Sequence, residues 1–214
     1  IGYISDGFFS SYEDVASSPV QFGQVSRPGD IKYKDLNHDG VIDSNDQAPI
    51  GYNPVPEKTF SLAAGLNWKG IDFSILLQGA ARSSIYLQQD IAWDNFWGNY
   101  YEEHIGRWTP ETAATATYPR FTKAATAAHP NYYKSDYWLK DSKYLRLKNI
   151  QLGYTIPRKL LKKFGVRSLR VYANAYNLFT WDNVKKVDPE SSNNSNGQFY
   201  PQQKVINFGI NLNF

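Results

Sequence analysis

The sequence predicts an all-β fold, about five antiparallel strands of a transmembrane β-barrel, and three observations predict it. Apolar and polar residues alternate with a period of two near 60–78, 150–156, 169–176 and 206–214, as in strands with one apolar and one polar face. Two of these strands meet at a tight turn, and each has about the 9–11 residues that cross a bilayer when tilted. The connections alternate between short and long, the layout of barrels with turns at one rim and loops at the other.

Composition narrows the function. A chain of 214 residues holds one or two ordinary domains, and 42% hydrophobic residues can build a core. Cysteine is absent, which excludes a disulfide framework and a thiolate metal site and leaves the redox compartment open. A formal charge of +3 on scattered basic residues gives no case for a nucleic-acid partner. No apolar run approaches the roughly 20 residues of a membrane helix. The start, "IGYISDGFFSS", lacks the charged and apolar regions of a signal peptide, and its abruptness points to a piece of something longer.

Residues 1–59 read as a loop region built around "DLNHDGVIDSND". In an EF-hand the twelve-residue calcium loop offers oxygens at positions 1, 3, 5, 7, 9 and 12, with Gly at 6. Those slots hold Asp35, Asn37, Asp39, the carbonyl of Val41, Asp43 and Asp46, with Gly40 at the sixth and Ile42 at the eighth. Neither flank is helical: "GDIKYK" has no helical period, and "QAPIGYNPVPEK" carries three prolines. Four carboxylates this close repel one another by roughly 1 kcal/mol per close pair in water, and a bound Ca²⁺ removes that penalty. Asp rather than Glu at position 12 resembles the dockerin-type variant. With no helix pair to switch, the expected role is structural rather than sensory; an Asx-rich turn without metal is the alternative.

Residues 60–78 read as a hairpin. Phe60, Leu62, Ala64, Leu66 and Trp68 share one face, Lys69-Gly70 is the turn, and Ile71, Phe73, Ile75 and Leu77 continue opposite Asp72, Ser74, Leu76 and Gln78. Trp68 sits where an aromatic girdle is expected. Residues 79–143 form a long loop whose segment "DIAWDNFWGNYYEEHIGRWTPE" concentrates Trp93, Phe96, Trp97, Tyr100, Tyr101 and Trp108. These aromatics are candidates for stacking on sugars or gripping a peptide, or for the loop's own small core and its packing on a partner.

Residues 144–180 contain two strands. Ile150, Leu152, Tyr154 and Ile156 face outward, while Leu145 and Leu147 have the opposite parity, which predicts a bulge or a change of environment near Lys148-Asn149. "PRKLLKKFG", 157–165, is a short helical turn between them, its basic residues solvated or set against anionic head groups. Leu169, Val171, Ala173 and Ala175 then oppose Arg170, Tyr172, Asn174 and Tyr176, and this second set meets cargo or a plug if it faces a lumen. Residues 181–203 are a polar loop. The last strand, 204–214, sets Ile206, Phe208, Ile210, Leu212 and Phe214 against Asn207, Gly209, Asn211 and Asn213, and its terminal Phe resembles the end of an outer-membrane barrel. Five strands are incomplete as a single-chain barrel, because two bare edges in lipid cost several kcal/mol per unpaired backbone group.

Catalysis finds no support. Glu102 and Glu103 are adjacent and do not converge on one bond, His38, His104 and His129 lack zinc spacing, and no G-x-S-x-G elbow is present.

The ordered set "GDIKYKDLNHDGVIDSNDQAPIG", "GLNWKGIDFSILLQG", "RWTPE", "YPR", "WLKDSKYLRLKNIQLGYTIP", "LRVYANAYNLFTW" and "DPE" resembles the region near the C-terminus of SusC/RagA-type TonB-dependent transporters of Bacteroidetes. The match covers nearly all of residues 29–214. The resemblance implies a 22-stranded barrel around an N-terminal plug, set in outer-membrane lipid beneath a SusD-like surface lipoprotein that captures glycans or peptides, with energy arriving through TonB. It places 1–59, 79–143 and 181–203 outside the cell, and the turn 157–165 and the C-terminus at the periplasmic rim. Plug, TonB box and about seventeen strands are missing, so the chain is expected to be the C-terminal part of such a nutrient importer, with the rest in another chain or segment. The alternative is a soluble secreted β-sandwich that binds carbohydrate and carries a structural calcium loop, with two apolar faces packed together.

Overall fold

The computed structural model describes residues 1–96, 98–123, 127–184, 187–191 and 202–214, which fall into two compact units. One unit is a five-stranded antiparallel meander: β1 (Lys58–Trp68), β2 (Ile71–Ala81), β3 (Tyr144–Thr155), β4 (Ser168–Asp182) and β5 (Val205–Asn213), neighbours in space in chain order. Both hairpin strands run longer than the alternation predicts, because the ladder continues from Phe60–Gly79 to Lys58–Ala81. The turn between them has positive φ at both residues, 47° at Lys69 and 89° at Gly70, the type I′ geometry that matches strand twist. Between β3 and β4, Pro157 precedes a helical turn at Arg158–Leu161 and a 3-10 turn at Lys162–Phe164, closed by Gly165 in the left-handed region.

Cross-strand pairing gathers the apolar set onto one face. Ala64, Ile75, Ile150, Ala175 and Ile206 form one row, and Leu66, Phe73, Leu152, Ala173 and Phe208 the next. The parity change in β3 is a bulge: the register shifts between Leu147 and Asn149 against both neighbours, with Lys148 as the extra residue. Opposite it β4 takes two extra residues and so keeps its parity, which leaves Leu145, Leu147, Phe179 and Trp181 on the same face as Ile150 and Ala175. Phe60, Phe179 and Trp181 mark one margin of this face, and Trp68 and Tyr154 the other. Eight steps of ~3.3 Å separate Phe60 from Trp68, and a tilt of about 40° brings that to about 20 Å, near the ~25 Å apolar band of membrane barrels. The face is uncovered, with Phe208 83% and Leu66 64% exposed. A soluble sandwich requires such a face to be packed, so the sandwich is not the architecture of this unit. Among the described residues neither edge strand, β1 or β5, pairs on its outer side.

The other unit comprises Ile1–Pro54 and Ser84–Asp141 with the described residue 191. Its backbone is tied by two-stranded pairs: Gly2–Tyr3 with Gln47–Ala48, Ser5–Phe8 with Ile31–Tyr33, Val20–Gln21 with Val41–Ile42, and Ser84–Tyr86 with Leu139–Asp141. One helix, α1 (Tyr12–Ser17), is capped by the Ser11 side chain. Phe9, Ile31, Tyr33, Ile42, Trp93, Tyr118, Tyr132 and Trp138 are buried together with Gln21, Asp30, Asp94 and Asn131. Segments with so little regular structure leave backbone groups for side chains to satisfy. Gln21 does so, accepting the Tyr33 N–H at 2.7 Å and donating to the Ile31 carbonyl at 3.0 Å.

Candidate functional site

The polar face of the sheet carries the charged groups that the strands bring into line. Asp72 on β2 and Arg170 on β4 meet across β3, with Nε to Oδ1 at 2.8 Å and Nη2 to Oδ2 at 2.5 Å. The bidentate fork fits because Gly153 lies beneath it: a Cβ there would stand 2.5 Å from Asp72 Oδ1 and 2.6 Å from Arg170 Nη2. We expect Gly153→Ala to push the two side chains apart and to cost about 1–3 kcal/mol. The check is the urea midpoint of the intact protein refolded into vesicles; an unshifted midpoint would remove the fork from the account. Tyr172 lies over Gly209, and the Arg170 guanidinium stands 4.7 Å from its ring centre. Arg170 and Tyr172, candidate contacts by sequence, are thus engaged within the wall itself. Tyr176 differs: it is 41% exposed and lines, with Lys148, Asn149 and Asn177, a groove of about 630 Å³ over Ala63, Gly65 and Ser74.

Arg146 was not a candidate by sequence, yet it is 1% exposed and fully engaged. Its Nε donates to Thr180 Oγ1 at 3.0 Å, Nη1 to Glu190 Oε2 at 2.9 Å, and Nη2 to both oxygens of Asp188 at 2.8 and 2.9 Å. An arginine at a polar-parity position inside an alternating strand is the signal that could have found it, since a guanidinium there needs partners.

The aromatic loop folds inward. Trp93 is a correction to the contact set: it is 3% exposed, its ring 4.8 Å from that of Tyr132, because the loop needs a core of its own. Tyr101 donates its hydroxyl to the Asp90 carbonyl, and Trp108 is half-buried on Gly29, where a Cβ would lie 2.6 Å from the indole. Tyr100 keeps 56% of its surface exposed and packs against Phe121. Trp97 lies outside the described residues. Asp94, fully buried, organises the core, accepting from the hydroxyls of Tyr118 and Tyr132 and from the Thr122 N–H. Burial, with Asp94 adding to it, pushes both phenols far up, so both stay protonated as donors. His104 Nδ1 accepts the Tyr101 N–H at 3.0 Å and Nε2 lies 3.2 Å from the Ala92 carbonyl, an arrangement that calls for the neutral Nε2–H tautomer.

In the acidic loop the side chains fold the backbone. Asp35 accepts from the N–H groups of His38 and Gly40 at 2.6 and 2.8 Å, Asp39 from Val41 at 2.9 Å, and Asp43 caps the 3-10 turn Ser44–Asp46. Asn37 Oδ1 accepts from the Asp39 N–H at 3.0 Å. Asp46 is fully buried, accepting from Leu36 and Asp43 at 2.7 and 2.9 Å. Burial alone would raise its pKa, but the N–H groups of Asp43, Leu36 and Asn37 hold it below the usual value. Its contribution is therefore present above the unfolded carboxylate pKa and is lost as pH falls through the lower folded one. Among the described residues no three acidic or histidine side chains already converge on one point.

No family model matches the chain. A TonB-dependent receptor, P26, of Formosa agariphila is 30% identical over 97% of the chain and 22% of its own length. The TonB-dependent receptor SusC of Bacteroides thetaiotaomicron is 26% identical over all of the chain and 20% of its own length. In a solved structure of the RagAB peptide importer in its open-open state, one chain superposes with a TM-score of 0.70 at 20% identity, covering 100% of this chain and 22% of that one. The chain thus spans about a fifth of the length of the relatives it matches. Strand order, the uncovered apolar face and these likenesses agree: along its whole length the chain matches a five-stranded portion of the barrel of SusC/RagA-type TonB-dependent transporters.

Proposed function

We propose that this chain is the C-terminal wall of an outer-membrane importer of glycans or oligopeptides, working with the remaining barrel and plug, a SusD-like lipoprotein and TonB. The observation that carries the reading is one sheet with an uninterrupted apolar face and, among the described residues, two outer edges without strand partners, which lipid tolerates only when further strands close the barrel. The long connections then lie outside the cell and the turns after Trp68 and Thr155 at the periplasmic rim. Native mass spectrometry of the detergent-extracted complex tests it. This 24.4 kDa stretch is expected to travel with a larger barrel-and-plug polypeptide and a lipoprotein; a monomer soluble without detergent would end the proposal.

We further propose that Ca²⁺ folds the acidic loop. The donor set fits a hard cation: Asp35, Asn37, Asp39, Asp43, Asp46 and the Val41 carbonyl offer oxygen alone, and a carboxylate oxygen that accepts one N–H keeps a second lone pair. The ion would supply charge compensation and rigidity, with Asp46 turning from its backbone donors to complete the shell. Titrating Ca²⁺ into the chelator-treated complex is expected to give a saturable signal that Asp35→Asn weakens at least tenfold. Equal binding by the variant, or none by either protein, would leave an Asx-rich turn.

A further inference from the structure

We infer that the polar groups around the Lys148 bulge form a releasable clasp that fastens the β4–β5 connection to the sheet, with Arg146 as its positioning residue. The described ends of that connection are 187–191 and 202–204, and side chains from one short stretch of β3 and β4 grip both. At the first end Asp188 and Glu190 share the Arg146 guanidinium, the Tyr144 hydroxyl donates to Glu190, and Lys148 Nζ stands 3.7 Å from Glu190 Oε2. At the second end Asn177 donates through Nδ2 to Gln202 Oε1 and to the Gln203 carbonyl, both at 3.2 Å. Gln202 then donates to Glu190 at 3.2 Å and joins the two ends.

The bulge and the clasp are one device. Arg146 and Lys148, two residues apart, present two cations to two carboxylates on the same side of the sheet by ordinary alternation, and the register shift at Lys148 leaves Asn177 of β4 outside the paired register opposite them. Asn177 stands opposite at φ 51°, a left-handed conformation that Asn tolerates and most side chains do not. Charge balance is exact only when both cations engage. Asp188 is 10% exposed and Glu190 24%, so the Asp188 contact is the dry one and the Glu190 contact the wetter one.

The attachment is releasable because side chains make it. Each strand keeps its own ladder, whereas Asp188 and Glu190 reach the sheet through the Arg146, Lys148 and Tyr144 side chains. Lys148 and Asn177 also line the groove over Ala63, Gly65 and Ser74, so two residues of the clasp belong to its wall.

Amide hydrogen exchange on the full transporter tests the clasp, comparing wild type with Arg146→Met and Arg146→Lys. Arg146→Met is expected to speed exchange of the Glu190 amide, which donates to Asp188 Oδ1 at 2.9 Å, at least tenfold, while the amides of β1 and β2 stay within twofold of wild type; Pro189 carries no N–H. Arg146→Lys, which keeps the charge but not the fork, should fall between. If Arg146→Met fails to assemble, Asp188→Asn with Glu190→Gln reads the same release from the other side. Unchanged exchange at Glu190, or loss of protection there and in the strands together, overturns the clasp. Failure of both variants to assemble does so as well, since Arg146 would then be a folding residue rather than a fastening.

Discussion

Phe208→Arg in the full transporter is expected to cost about 1–3 kcal/mol of barrel stability, between the values for the bilayer midplane and its interface, whereas Asn207→Arg, one residue earlier, is expected to cost little. The two side chains lie on opposite faces of β5: Phe208 closes the row Leu66, Phe73, Leu152 and Ala173, and Asn207 the row Gly65, Ser74, Gln151 and Asn174. A guanidinium in the first row must leave water for hydrocarbon, two of the eight steps in from Trp68 toward Phe60. In the second row it stays with amides and hydroxyls. Asn207 does lose its hydrogen bond to Asn174, 3.0 Å long and exposed, and its replacement there is worth only about 0.5–1.5 kcal/mol. Urea titration of the protein refolded into vesicles measures both, with heat-modifiable mobility on gels as the assembly control. Equal losses for the two variants would mean that the apolar face does not meet lipid, and the barrel-wall reading would go with it.

The sheet was legible because its period of two is a local property. Most residues from Phe60 to Leu77 declare their face by their own polarity, Ala63 and Leu76 excepted, and the parity clash between Leu147 and Ile150 declares the bulge. What the alternation cannot declare is whether the two halves of β3 share a face. That depends on β4 taking two residues where β3 takes one, a fact about pairing rather than about either sequence. The aromatic loop was less legible for a related reason. Trp93 and Tyr100 look alike in a run of Trp, Tyr and Asn, yet one is buried and the other open. The difference is made by Asp94, whose carboxylate gathers tyrosines 24 and 38 residues further along the chain. Arg146 is the same case, its carboxylate partners lying 42 and 44 residues away across a polar loop. Residues that work through such long closures carry no neighbouring motif, so polarity alone names them without saying what they hold.

Arg120→Ala is expected to destabilise the loop unit by about 3–5 kcal/mol, because it strips a buried carboxylate of its cation. Asp30, with 4% of its side chain exposed, accepts from Arg120 Nη2 at 3.2 Å on Oδ2, and Arg120 Nε stands 2.6 Å from Oδ1 as an ion-pair contact. Its remaining donors are neutral: the Arg27 N–H at 2.8 Å and Asn131 Nδ2 at 3.0 Å, while Asn131 Oδ1 takes the Ile31 N–H at 2.9 Å. Three distant stretches, 27–31, 118–120 and 129–131, therefore meet at one ion pair, and the chain there has almost no ladder to fall back on. His129 stands beside this pair, where burial, aided by Arg120 and opposed by Asp30, keeps its pKa below the ordinary value. Asp30→Asn combined with Arg120→Met is expected to recover part of the loss: no charge is left buried, although the single amide oxygen accepts from one oxygen position where the carboxylate served both the Arg27 N–H and Asn131 Nδ2. Limited proteolysis of the intact transporter reads the result as cleavage within 85–140, with the β1–β2 hairpin as internal reference. Resistance of Arg120→Ala to cleavage would show the carboxylate to be solvated. A double variant no better than the single one would move the cause from charge to the lost packing of the arginine stem.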